Sequence, residues 1–294
     1  MAKFEELKAN NGVDTLKPDD AWVIIPERGD NQVFLRDGDG YALDPRSDGG
    51  RVGWKDVPPP PKSRDPENMV ASVSRGKNDR LLKFTAVKTG MGRIWAKKGG
   101  LSLSIGFSVH PPKTHKISFF FLQDQTGKTV KSRTTFSPSD AAGWVKDLSA
   151  VYGPQANIRF ELGKAEPLPL SGLSQVVSDA DAPLLEQKKD SALINIFLAG
   201  SQIKSNESDF PLGFYVIKEK LIVVKDQTAT ESKSKPMLKT MAHEIAHLLN
   251  YHRKASTPGH DYYKTCGYAS DVLNTLDGTD IKIPHQRVLD WNPW

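Results

Sequence analysis

Three histidines and a glutamate stand among apolar residues in "KTMAHEIAHLLNYHRK", residues 239–254. His243 and His247 are four apart, so on a helix they stack on one side. At about 100° per residue, Leu238, Met241, Ile245, Leu248 and Leu249 gather roughly opposite them. Such a helix is anchored by its apolar stripe while two imidazoles look outward together. Two neutral imidazoles suit a zinc ion, with bonds of about 2.0–2.1 Å. Glu244 points partly aside, toward the place a metal-bound water would occupy. Zinc lowers the pKa of bound water toward about 7. A carboxylate beside that water can take its proton during attack on a peptide carbonyl and later give it to the leaving amine. His243-Glu244-Ile245-Ala246-His247 fills the HExxH pattern. The bland alternative is a core-packing helix that exposes two histidines. An amphipathic helix late in an α/β region, opened by Pro236 with Ser234 as a cap, favours the metal.

The third ligand divides zinc peptidases. No glutamate follows Glu244, which excludes a glutamate on a later helix, and "GTD" at 278–280 does not fit a GTxxD arrangement. Histidine remains, and here the chain resembles the metzincin clan, whose pattern is HExxHxxGxxH followed by a methionine turn. The resemblance spans about 113 to the end and departs in three places. Asn250 stands where the clan has glycine, and asparagine still permits a left-handed helix end. Arg253 stands at the third histidine's place, with His252 one residue early. Leu273, in "DVLNTLDGTDIKIPH", stands where the methionine would be. His260, in "STPGHDYY", follows a Pro-Gly turn that can return the chain across a cleft, and "PGHD" resembles a Gly-His pair of bacterial relatives. His260 is the first choice for third ligand; His252 and Asp261 are the alternatives. On a continuing helix His252 would lie about 180° from His243, so it serves only if the helix breaks at Asn250. As a bland residue it would interact with the helix dipole, and Asp261 would orient a ligand.

The resemblance implies a zinc-dependent endopeptidase with one Zn2+ and Glu244 as general base. It also implies a tyrosine that stabilises the oxyanion, for which Tyr262, Tyr263 and Tyr268 are near enough, with Tyr263 preferred. Packing is the commoner role of a loop tyrosine. Cys266 either caps a zinc in a latent form or, as lone cysteines usually do, fills a small buried space. His110, His115 and His285 lack ligand spacing and read as structural. The rival readings are a zinc-dependent hydrolase of another amide, such as a peptidoglycan cross-link, and a non-catalytic binding module with a vestigial site.

The elements that must position these residues begin near residue 113. "HKISFFFLQD", "NIRFELG" and "SALINIFLAG" read as strands, and "GFYVIKEKLIVVKD" as a strand or hairpin. That hairpin is either a substrate-pairing edge, as in metzincins, or a covered core element. "SPSDAAGWVKDLSAVYGPQ" reads as a helix with Pro138 at its first position and Ala142, Val145, Leu148 and Val151 on its buried side. Upstream, "MVASVSR", "LLKFTAVKTG", "GRIWAKKGG" and "LSLSIGFSVHPP" read as short strands of an antiparallel β-sandwich, a pattern resembling bacterial immunoglobulin-like domains. The expected class is α+β: a polar tail at 1–17, a β-sandwich module at 18–112 with a proline-rich segment at 57–69, and the metzincin-like α/β sandwich at 113–294. "RDGDGYALD" lacks the glutamate and helices of a calcium loop and reads as turns.

The chain has 40 basic and 35 acidic side chains, a net charge of +5, scattered without the stripe that nucleic-acid binding uses. Expected partners are a protein or peptide substrate and an inhibitor or immunity protein. Nucleic acid is not expected, nor is a membrane span. With one cysteine there is no internal disulfide. The first twenty residues lack the apolar stretch of a secretory signal. A cytoplasmic product is expected, with any export by a route without a cleaved signal, as for an effector delivered by a secretion machine.

Overall fold

The computed structural model describes residues 3–6, 12–14, 21–36, 42–43, 71–75, 81–200, 203, 212–216, 218–226, 236–251 and 283. Two sheets come first. One contains β1 (Lys3–Glu6), β4 (Asp30–Arg36), β6 (Ala71–Arg75) and β7 (Leu81–Ala86), in the order β1-β4-β7-β6, all antiparallel. The other contains β2 (Val13–Asp14), β3 (Trp22–Pro26), β5 (Ala42–Leu43), β8 (Gly90–Lys98) and β9 (Leu101–His110), in the order β2-β3-β9-β8-β5, with β3 and β9 parallel. Val33, Leu35, Leu82 and Phe84 meet Val23, Ile25, Ile94 and Phe107 in one core, and the Phe84 and Phe107 rings lie 5.6 Å apart between the sheets.

Residues 1–17 were expected as a polar tail, but two stretches of them are strands. Phe4 is buried in the sandwich core, and Glu5 pairs with Arg36 across β1 and β4 at 2.7 Å. Val13 is buried in the same core. One apolar anchor per short strand suffices where the partner strand supplies the backbone hydrogen bonds.

After Pro111 and Pro112 comes a mixed sheet. It contains β10 (Lys113–Thr126), β11 (Thr129–Ser132), β12 (Ile158–Leu170), β13 (Ile194–Leu198), β14 (Gly213–Val216) and β15 (Leu221–Val224). β10 pairs in parallel with β12 and β13, β13 in parallel with β15, and β14 closes the row antiparallel to β15. β11 turns back antiparallel on the end of β10. The expected hairpin at 213–226 is therefore β14 and β15, with β14 at an edge among the described residues.

Alternation gives the sheet two buried faces. Ile117, Phe119, Phe121, Ile194, Ile196, Ile222 and Val224 face α1 (Ala141–Ala156) and α3 (Pro236–Tyr251). Phe120, Leu122, Phe197, Leu221 and Val223 face the opposite way, toward Leu185 of the short helix α2 (Ala182–Glu186). Pro138 opens a 3-10 turn, Pro138–Asp140, and the α-helix starts after it at Ala141. Ala141 is consequently the buried alanine and Ala142 is exposed, one position off the expected face.

The sandwich is not separate from this layer. β3 turns Val23 and Ile25 into the sandwich core but Trp22 and Ile24 into the core of α1, where Met91 joins them. Trp22 lies flat over Gly106 of β9, where a Cβ would come within 2.1 Å of the indole ring. Its Nε1 donates to Ser108 Oγ at 2.9 Å.

Candidate metal centre

The histidine helix, α3, is held on several sides. Met237, Met241, Ala242, Ile245, Ala246, Leu248 and Leu249 are buried in the core shared with the sheet and α1. The expected apolar stripe is present but wider, which leaves less of the helix facing water. Tyr152 of α1, fully buried, donates its hydroxyl to the Ala242 carbonyl at 2.7 Å, one residue before the first histidine. Its ring stands edge-on to Phe160 at 5.2 Å. Gln155, one turn on, accepts the Ile283 N–H at 2.9 Å, which draws that C-terminal residue into the same core.

His243 and His247 lie together as the four-residue spacing requires. Their rings are 4.9 Å apart between centroids at 76°, and the two Nε2 atoms approach to 3.2 Å. Two zinc–nitrogen bonds of about 2.0–2.1 Å at a tetrahedral angle place their nitrogens roughly 3.3 Å apart. The imidazole pair therefore fits a shared zinc ion, with half of a tetrahedral ligand set supplied by adjacent turns. The same approach serves as a hydrogen bond when one ring carries its proton on Nε2. The rings do not look out into water as expected. His243 and Glu244 are each 5 % exposed and His247 is half-buried, because the edge strand β14 packs beside the helix. Burial strengthens electrostatic interactions at such a site.

Among the described residues, no group of three or more histidine, cysteine, aspartate or glutamate side chains is placed to hold a metal. The candidates for a third ligand, His260, His252 and Asp261, lie outside the described residues. So do Tyr262, Tyr263, Tyr268, Cys266, Leu273 and His285, the cap Ser234 and the proline-rich segment 57–69; of the stretch 36–44 read as turns, Arg36 instead ends β4 and Ala42–Leu43 form β5. α3 runs to Tyr251, one residue past Asn250.

His110 is structural, as expected. It is fully buried, its Nε2 lies 2.7 Å from Ser108 Oγ, and its carbonyl accepts from Asn157 Nδ2 at 2.7 Å. His115 lies in β10, in register with Phe160 of β12. Reasoning from sequence missed Tyr152, Thr240 and Gly213, the residues that fix α3 against its neighbours. Tyr152 was legible only as a core residue four after Leu148.

No family model matches this chain, and no curated protein does. Among solved structures it resembles a zinc-dependent peptidase from Methanocorpusculum labreanum at 13% identity and a TM-score of 0.40, over 60% of this chain and 100% of that one. It resembles archaemetzincin from Methanopyrus kandleri at 13% identity and a TM-score of 0.34, over 60% of this chain and 92% of that one. A complex of the immunoglobulin domains of Dpr2 and DIP-Theta matches at 13% identity and a TM-score of 0.21, over 42% and 41%. Likenesses this loose carry no weight on what this chain does.

Proposed function

We propose that this protein is a zinc-dependent endopeptidase. The observation that supports it most is the 3.2 Å convergence of the His243 and His247 Nε2 atoms, with the Glu244 carboxylate on the intervening residue. His243 and His247 would hold the ion, with His260 as third ligand. Bound zinc would acidify a water and polarise the scissile carbonyl. Glu244 takes the proton of the attacking water and delivers it to the leaving amine. Its burial keeps bulk water from competing for that proton. Tyr263 is the candidate for stabilising the oxyanion. β14 leaves one edge without a strand partner among the described residues, and there an extended peptide can add as a further strand. The substrate is a protein or peptide, and an inhibitor protein is a natural second partner for the same edge.

Zinc content and casein hydrolysis, measured together on wild type, His260→Ala, His252→Ala and Glu244→Gln, test this reading. Loss of zinc in His260→Ala, retention in His252→Ala, and retention with loss of hydrolysis in Glu244→Gln are expected. A wild type that binds no zinc ends the proposal. One that binds zinc but hydrolyses cell-wall peptides and not protein moves it to another amide.

A further inference from the structure

We infer that Gly213 is a positioning residue for Glu244: the side chain it lacks leaves the space in which the carboxylate rests. The catalytic part of this inference rests on the peptidase reading; the packing part does not. Gly213 opens β14, and Phe214 after it turns into the opposite core. Gly213 therefore faces α3, paired with Val224 of the same face. A Cβ at 213 would come within 2.7 Å of Thr240 Cγ2 and within 3.2 Å of both Cγ and Oε1 of Glu244. Thr240 and Glu244 are one helical turn apart, so the glycine sits in the groove between two successive side chains of the motif helix.

The backbone does not call for glycine here. Gly213 is not among the glycines with positive φ, so an L-residue fits its conformation. Glycine otherwise weakens a strand and commonly marks a close approach. The closest approach is to Thr240 Cγ2, with Glu244 Cγ and Oε1 next. Thr240 is buried and β-branched, with little freedom to rotate its methyl away. An added methyl at 213 must therefore displace the strand or the Glu244 carboxylate. Either movement changes the position of the base relative to the edge on which a peptide would lie. A misplacement on the order of 1 Å at a reacting group costs about 100-fold in rate.

The test uses the full chain with Gly213→Ala and Thr240→Ser, singly and together, and Glu244→Gln with and without Gly213→Ala. Zinc content, thermal midpoint and the kcat and KM for a peptide are read for each. Gly213→Ala is expected to keep its zinc and its KM while kcat falls about 10- to 100-fold. Its melting temperature is expected to fall by roughly 3–6 °C. Thr240→Ser removes the methyl at 2.7 Å but keeps the hydroxyl, and in the double variant it restores most of both losses. In the Glu244→Gln background the alanine causes no further loss of rate. Wild-type kcat in Gly213→Ala overturns the inference, and so does an equal further loss in the Glu244→Gln background. If the wild type hydrolyses nothing, the peptidase reading fails by itself. The melting temperatures still decide the packing, because strictly additive shifts for Gly213→Ala and Thr240→Ser would mean that the two sites do not touch.

Discussion

His243 and His247 approach each other through nothing more than helix geometry, yet their surroundings decide what that approach is worth. Glu244, buried beside them, would be lost to catalysis if it were made uncharged. Glu244→Gln should retain zinc while kcat/KM for a peptide falls about 10²- to 10⁴-fold, measured by initial rates on the metal-loaded chain. Tyr152 acts from behind. Removing its hydroxyl takes one donor from the Ala242 carbonyl, and Tyr152→Phe should lower unfolding free energy by about 1 kcal/mol in urea titrations. The approach of His243 and His247 was legible because the two lie within five residues on one helix. The burial of His243 was not, because it depends on β14, some thirty residues upstream and brought alongside only by the sheet.

Elements differ in how much of themselves they reveal. The runs 115–124 and 191–200 announced strands through continuous apolar and β-branched residues, as strands covered on both faces do. β1 and β2 did not, since Phe4 and Val13 are lone anchors in polar surroundings, whereas the apolar runs 21–26 and 32–35 of their partners β3 and β4 read as strands. The asparagine at 250 suggested a helix end, and α3 ends one residue past it, at Tyr251. Leu248→Ala should cost about 2–5 kcal/mol, read by denaturant unfolding, because it opens a cavity under the motif helix. β12 has an exposed outer side, and its Pro167 and Pro169 carry no N–H to offer a neighbouring strand. Replacing both by threonine should produce concentration-dependent self-association in light scattering.

Across the whole molecule, the two β-sheets of the sandwich and the mixed sheet are joined by side chains rather than by the chain alone. Trp22, Ile24 and Met91 complete the core over α1, and Asn157 closes the seam through the His110 carbonyl. Calorimetry should therefore show one transition, and Ile24→Ala should move it as a unit by roughly 4–10 °C. An expectation of two modules strung in sequence came from composition, which changes at 110–113; the shared core could not be read there, because it depends on which side of β3 each residue faces. No helix among the described residues is long and apolar enough to cross a membrane.

That core collects residues from Trp22 to Ile283, and Ile283 is tied by its backbone to Gln155. A chain emerging from the ribosome releases its early strands first and must hold Trp22 and Ile24 uncovered until α1 appears. The helix that bears the histidines comes later still, and its packing is finished only when residue 283 has been made. Synthesis thus contains its own delay: the surroundings of the histidine pair are completed only after the strands and α1 on which α3 packs have been made.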